Sequence, residues 1–283
     1  MIDIKKESEN RKRYDMIKIE SLPPCIILCG GEGTRLRDVT ELLPKPMVPV
    51  GQQPIVWHIM KTYAAYGVKR FILCLGYKRE AFIDYFLNYH ERSTDITIKL
   101  GKEKKILYHS FHGEEDWEVS LVDTGNKTQT GGRLHKGVKY LQDHDENFFF
   151  TYGDAVANVN IKNLFDFHKQ ENKEITVTAV HPAGRFGAMR MDGNNVIGFH
   201  EKPQTEQGLI NGGFMVLKKS FIARFMNDDP QLIFEQEPMG YAVKENQMSS
   251  YIHNGFWQCM DTQREHQLLN NYWDSGKASW KVW

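Results

Sequence analysis

The sequence predicts an α/β fold, with a mostly parallel mixed sheet and helices on both faces. Three observations carry that expectation. Short apolar runs rich in β-branched and aromatic residues alternate with helix-length amphipathic stretches. Glycine or proline closes the runs, as for buried parallel strands. A glycine-rich polar loop follows the first run directly, at the strand edge where doubly wound sheets take their ligands.

The elements follow in chain order. Residues 1–24 form a charged polar extension ahead of a single domain at 25–283. Cys25 to Cys29 (CIILC) reads as the first buried strand, bounded by Pro24 and Gly30. A polar loop then runs to about Gln53. Pro54 to Tyr66 reads as a helix, with proline in its first turn and Gly67 at its end. Phe71 to Leu75 is a second strand, and Ala81 to Tyr89 a helix with one apolar face. Phe148 to Tyr152 (FFFTY) is a strand ending at Gly153-Asp154. Asn163 to Gln170 suggests a helix and Ile175 to Val180 a strand. Shorter strands fall between Asn195 and Val216, around Glu201-Lys202-Pro203, and a helix from about Thr262 to Trp273 closes the pattern. No repeat or linker interrupts this Rossmann-like order.

Composition removes several functional classes. The 36 Lys+Arg balance 36 Asp+Glu, so the basic footprint of a nucleic-acid binder is missing from the total. Apolar residues make up 41% of the chain, enough for a sizeable core. No run approaches the ~20 apolar residues that span a bilayer. The N-terminal segment is charged where a signal peptide needs its apolar centre. Neither nucleic acid nor membrane is therefore an expected partner. Cys25, Cys29, Cys74 and Cys259 form no C-x-x-C pair. Cys25 and Cys29 would lie about 13 Å apart on one strand at ~3.3 Å per residue, too far for a bridge. Buried reduced thiols and a cytoplasmic location are expected.

The chemistry-bearing residues cluster around predicted strand ends. In Gly30-Gly31-Glu32-Gly33-Thr34-Arg35 the glycines allow backbone N–H groups to approach an anion, and Arg35 adds a planar fork suited to phosphate. The loop lacks both the Walker A ending and G-x-G-x-x-G, and a tight strand-to-helix turn is the alternative reading. Pro44 and Pro46 stiffen the backbone around Lys45, as a phosphate ligand or as an ordinary loop lysine. Asp154 follows a buried strand at its C-terminal end. Glu201-Lys202-Pro203 offers a second stiffened lysine, Asn211-Gly212-Gly213 another close-approach backbone, and Asp261 a second carboxylate. His58 and His168 lie within predicted helices and read as packing residues, the tryptophans as core or subunit contacts, Lys102 to Lys105 as a solvated turn. Asp123-Thr124-Gly125 is open between a site role and a structural turn.

Taken together, G-G-E-G-T-R-L, P-K-P-M, G-D, E-K-P, N-G-G-F and M-D-T resemble the sugar-1-phosphate nucleotidylyltransferases. Trp57 to Lys61, Leu75 to Lys78, Leu121 to Gly125, Thr130 to Leu134, Gly184 to Gly187 and the tail from Gly276 narrow the resemblance to the branch that joins CTP to glucose 1-phosphate. The resemblance runs from about Cys25 to the end. It implies the nucleotide-diphospho-sugar transferase type of fold, Mg²⁺ dependence, a homo-oligomer, and CTP and a sugar 1-phosphate as substrates. It puts Gly30, Gly31, Gly33, Thr34, Arg35, Thr130, Gly131 and Arg133 on the nucleotide. It puts Lys45 on phosphates, Lys202 on the sugar phosphate, Gly187, Glu201 and Asn211 near the sugar, and Asp154 and Asp261 on the metal. Arg35, Lys45 and Lys202 would carry the transfer. The same fold acting on UTP, dTTP or another sugar or alditol phosphate, and a non-catalytic sugar-nucleotide sensor, are the rival readings.

Two positions depart from the family pattern. Its G-D-G is Gly153-Asp154-Ala155 here, and Asn158 stands where an acidic residue is expected. Arg133 carries the expectation about the base. A guanidinium only donates, so it suits O2 and N3 of cytosine and opposes the N3–H of uracil. The alternative pairs Arg133 with a carboxylate such as Asp123.

Overall fold

Strand β1 (Cys25–Leu28) is buried along its whole length because both faces of its sheet are covered. Ile26 and Leu28 point into one core and Cys25 and Ile27 into the other, which is the alternation a pleated strand imposes. The computed structural model describes residues 22–31, 43–109, 116–182, 188–192, 195–200 and 208–283.

After β1 the chain forms β2 (Pro49–Val50), β3 (Gln53–Pro54), helix α1 (Ile55–Ala64) and β4 (Arg70–Leu75). Helices α2 (Arg79–Leu87) and α3 (Tyr89–Ser93) lead to a hairpin, β5 (Ile96–Leu100) and β6 (Lys104–Tyr108), and then to β7 (Glu118–Asp123). Helix α4 (Thr130–Gly137), β8 (Asn147–Tyr152), β9 (Ala155–Ala157), α5 (Ile161–Glu171) and β10 (Ile175–Val180) follow. The chain continues through β11 (Ala188–Asp192), β12 (Asn195–His200), β13 (Ile210–Asn211), β14 (Met215–Lys218), α6 (Lys219–Phe225) and α7 (Glu237–Lys244). It closes with β15 (Met248–His253), β16 (Trp257–Cys259) and α8 (Gln263–Asp274).

The eight-stranded sheet has the order β13-β10-β14-β8-β1-β4-β7, with β15 on β10. Strands β8, β1, β4 and β7 are mutually parallel, as are β10 and β15. The sheet is more mixed than the alternating pattern suggests, because β14 runs antiparallel to both β8 and β10. The strands and helices expected at 25–29, 54–66, 71–75, 148–152, 163–170, 175–180 and 262–273 each meet an element of the same type. Helix α2 begins two residues earlier than its apolar face indicates, at Arg79.

Elements without a clean sequence pattern went unanticipated. Strand β7 (EVSLVD) carries a polar residue in its middle, and α4 (TGGRLHKG) contains three poor helix formers. Tertiary packing holds α4. A Cβ on Gly137 would lie 2.6 Å from the sulfur of Cys74, so this helix reaches the sheet closely only because glycine is there. The run Lys102 to Lys105 is the tip of the β5–β6 hairpin, with its turn exposed.

The two histidines are structural. His58 is fully buried, with Nε2 2.9 Å from the Val50 carbonyl and Nδ1 accepting from the Trp280 indole at 3.4 Å. That pattern is a neutral ring, and burial lowers its pKa to about 4. His168 bridges Thr176 and Asn147 from α5 and is likewise lowered to about 4 by burial. Trp280 is fully buried and stacks on Phe256, while Trp273 and Trp283 pack around His58. All four cysteines are free thiols.

Candidate functional site

The C-terminal ends of β1 and β8 open into a cleft of about 640 Å³, within the range of small-molecule sites. Gly30, Gly31, Lys45, Asp154, Thr130, Arg133, Tyr152 and Gln231 line it. Sequence reasoning named the first six of these. Tyr152 it had only as a strand residue, and Gln231 not at all.

Lys45 opens a short 3₁₀ turn, Lys45–Met47, between two prolines. Met47 N–H donates to the Pro44 carbonyl and Val48 N–H to that of Lys45, so the backbone under the lysine is fixed. Its Nζ lies 2.8 Å from Asp154 Oδ2 and 2.5 Å from Asp261 Oδ1. Burial works to lower the pKa of this lysine, but the two carboxylates outweigh it and hold the pKa above its ordinary value. The residues singled out as phosphate lysine and metal pair are therefore one cluster.

The two aspartates meet because β9 and β16 pair antiparallel, with Ala155 opposite Cys259, and Met260 N–H donates to the Asp154 carbonyl. Asp261 stands just before the N-cap of α8. Thr262 and Glu265 form a capping box there, and Glu265 also accepts from the Asp261 N–H at 2.7 Å. This fixes the Asp261 backbone independently of any ligand. Ala155 raises no backbone difficulty: it begins β9, is buried, and is absent from the positive-φ residues. Asn158 has a buried Oδ1 with no hydrogen-bond partner among the described residues. An aspartate there would bury an unpaired carboxylate oxygen, so the neutral amide suits the position.

Arg133 is almost fully buried, and its fork faces protein. Nη1 donates to the Leu75 carbonyl at 3.1 Å and to Thr124 Oγ1 at 2.7 Å. Nη2 donates to the carbonyls of Gly30 at 3.0 Å and Asn126 at 3.1 Å. All four terminal N–H groups are committed, so the expectation that the fork reads cytosine is not met in this geometry. The alternative fails as well, because Asp123 pairs with Arg79 and caps its own turn through Gly125 N–H. Asp123-Thr124-Gly125 is thus a structural turn. Gly30 and Gly76 are glycines because the Arg133 guanidinium fills the space a Cβ would need, at 2.0 and 2.5 Å.

The glycines beside Arg133 also serve packing. Gly131 and Gly132 N–H groups donate to the Leu232 carbonyl, and Cβ atoms there would meet Leu232 and the Asp229–Pro230 backbone below 3 Å. Segment 229–236 is thereby held on the start of α4. Glu235 completes the attachment: Thr130 donates to it at 2.6 Å and Tyr152 at 2.5 Å. Burial first, and then Glu235, push the Tyr152 phenol well above its ordinary pKa. No sequence motif signals Glu235, which lies 105 positions from Thr130.

Asn211 is exposed and accepts from Gly213 N–H at 2.9 Å. Gly212 lies where a Cβ would strike Val180, and Gly213 and Phe214 have φ of +79° and +31°. The break between β13 and β14 therefore needs these residues for backbone reasons, and Trp257 holds it by donating to the Gly212 carbonyl at 2.7 Å. Gly33, Thr34, Arg35, Gly187, Glu201 and Lys202 lie outside the described residues.

Two glycines, a lysine and a carboxylate lining a cleft at the parallel-strand edge, with a second carboxylate on the lysine, suit an enzyme that handles nucleotide phosphates. The nucleotidyl transferase family model matches residues 25–277. The chain is 45% identical over 258 residues to the glucose-1-phosphate cytidylyltransferase of Salmonella typhi, covering 91% of this chain and 98% of that one. It is 38% identical over 259 residues to the probable glucose-1-phosphate cytidylyltransferase of Bacillus subtilis, covering 91% and 99%. Among solved structures, HddC from Yersinia pseudotuberculosis complexed with GMP-PN shares the fold, with a TM-score of 0.64 at 21% identity over 89% of this chain and all of that one. The chain belongs to the nucleotidyl transferase family and, within it, to the glucose-1-phosphate cytidylyltransferases.

Proposed function

We propose that this chain joins CTP and α-D-glucose 1-phosphate, releasing pyrophosphate and CDP-glucose by in-line displacement. The observation that carries the reading is the convergence of Asp154 and Asp261 on Lys45, with Lys45 and Asp154 lining the cleft. The chemistry is phosphoryl-type transfer between two anions, so their repulsion is the main obstacle. The sugar phosphate is already ionised near neutral pH and needs no enzyme nucleophile. Positioning and charge neutralisation are what the protein must supply.

Asp154 and Asp261 fit Mg²⁺: both offer hard oxygens, both point at the position that Lys45 Nζ holds, and Asp154 lines the cleft. Bound there, Mg²⁺ would neutralise charge on the phosphates. Lys45 and Arg35 are assigned to the departing pyrophosphate. Lys202 is assigned to the attacking sugar phosphate, and Glu201, Asn211 and Gly187 to the sugar. Gly30, Gly31, Gly33 and Thr34 are assigned to the nucleotide. Thr130, Gly131 and Arg133 are assigned to the base-side wall, where Arg133 acts by holding Gly30 and Asn126 in place.

The free cysteines support a reducing compartment such as the cytoplasm. Among the described residues no helix is long and apolar enough to cross a membrane. Ile98, Leu100 and Tyr108, which share one face of the β5–β6 hairpin and are 43%, 88% and 38% exposed, support assembly into a homo-oligomer, which sedimentation of the purified chain would test.

The deciding assay follows pyrophosphate release with each nucleoside triphosphate against a panel of sugar 1-phosphates. CTP with glucose 1-phosphate should give the highest kcat/KM. Equal use of UTP or dTTP would overturn the base assignment, and preference for another sugar or alditol phosphate the substrate assignment. Tight binding of CDP-glucose with no turnover of any pair would mark a sensor.

A further inference from the structure

We propose that the Lys45 ammonium and a divalent cation are alternative occupants of the position between Asp154 and Asp261, so that the cation enters as Lys45 moves onto the nucleotide phosphates. This rests on the assignment of those aspartates to the metal. The geometry sets up the exclusion. One nitrogen is within hydrogen-bond distance of both carboxylates, at 2.8 and 2.5 Å. A Mg²⁺ ion bound by the same two oxygens would need them at about 2.0–2.1 Å, which puts it on almost the same point. Two cations cannot share it.

The lysine is built to move without its backbone. Pro44, Pro46 and the turn hydrogen bonds fix the main chain, while the four-carbon stem keeps its rotatable bonds. Lys45 and Asp154 line the same cleft, so a swing of the side chain carries the ammonium from the carboxylates toward a bound phosphate. The charge balance drives the exchange. Lys45, Asp154 and Asp261 together carry a net charge of −1. A polyphosphate that draws the ammonium away restores both carboxylate charges to the incoming divalent ion. Metal and nucleotide therefore bind cooperatively, and metal alone binds weakly.

The test measures Mn²⁺ binding to the full chain without nucleotide, from the paramagnetic signal of the free ion. Lys45→Met should bind Mn²⁺ roughly tenfold or more tighter than wild type, because the ion no longer has to displace the ammonium from the carboxylates or meet its charge close by. Lys45→Arg, which keeps the cation, should bind no tighter than wild type. Mn²⁺ should raise the unfolding temperature of Lys45→Met more than that of wild type, since it replaces the cation that Lys45 supplied between the two carboxylates. Lys45→Gln replaces Lys45→Met if the latter does not fold. Folded Met or Gln variants that bind Mn²⁺ no tighter than wild type would overturn the proposal. So would a gain in affinity that survives Asp261→Asn in the same variant. Failure to turn over CTP leaves these binding results unaffected, so the two readings fail separately.

Discussion

Tyr152 donates its phenolic hydrogen bond to Glu235 across 83 positions of sequence, at 2.5 Å, and Thr130 donates to the other oxygen of the same carboxylate at 2.6 Å. One side chain thereby ties the end of β8, two residues before Asp154, to the start of α4. Hydrogen bonds to charged groups contribute about 1.5–3 kcal/mol, and exposure of Glu235 reduces that. Glu235→Ala should lower stability by about 1–2 kcal/mol in urea melts and raise the KM for CTP. Tyr152→Phe, which removes one bond of the two, should do less of both. An unchanged KM alongside the lost stability would confine Glu235 to a folding role.

Asp154→Ala and Asp261→Ala should each cut turnover by about a hundredfold or more while leaving the chain folded. The capping box that holds the Asp261 backbone uses Thr262 and Glu265, so the helix start survives the substitution. Near-normal rates in saturating Mg²⁺ for either variant would remove that residue from the metal.

Lys202→Ala should cut turnover and weaken sugar-phosphate binding more than CTP binding, as expected of a lysine assigned to the attacking group. Calorimetry with each substrate separates the two. A change confined to CTP affinity would reassign the residue.

Arg133→Met should remove one donor each from the carbonyls of Leu75, Gly30 and Asn126. Leu75 keeps the Thr124 N–H and hydroxyl and Gly30 keeps the Tyr77 N–H, so the cost of about 1–3 kcal/mol falls mainly on Asn126. The expected kinetic result is a higher KM for CTP and UTP alike, with the ratio of their kcat/KM values preserved. Loss of that ratio would show instead that the fork turns to the base during the reaction. Gly30→Ala tests the same contact from the other side, since its Cβ would lie 2.0 Å from the guanidinium. Overpacking of that kind costs roughly 1–3 kcal/mol.

Acid should weaken the fold through two buried imidazoles. His58 and His168 are held neutral by burial, with pKa values of about 4 against 6.5 in the open chain. Between those values the unfolded chain binds protons that the folded chain refuses, so stability is full above about pH 6.5 and falls as pH drops toward 4. Each group contributes up to about 3 kcal/mol of that loss. Urea midpoints across this window should flatten when His168 is replaced by Gln. An unaltered pH slope in that variant would show that His168 does not contribute.

The sequence by itself determined the strands whose two faces are buried. Cys25–Leu28, Arg70–Leu75, Asn147–Tyr152 and Ile175–Val180 are short apolar runs, and strand formation there needs only local pattern and a covered sheet. It also determined the residues of the cleft that stand in stiffened local settings, Gly30, Gly31, Lys45 and Asp154, and Asp261 beside them. Tertiary structure alone decided what those residues do to one another. That Lys45 lies between two aspartates 109 and 216 positions away follows from the pairing of β9 with β16, and no local pattern encodes that pairing. The same holds for Arg133, whose type was legible as a donor but three of whose four partners are main-chain carbonyls, those of Leu75, Gly30 and Asn126. A backbone carbonyl carries no residue identity, so the sequence names the donor and leaves the acceptors to the fold.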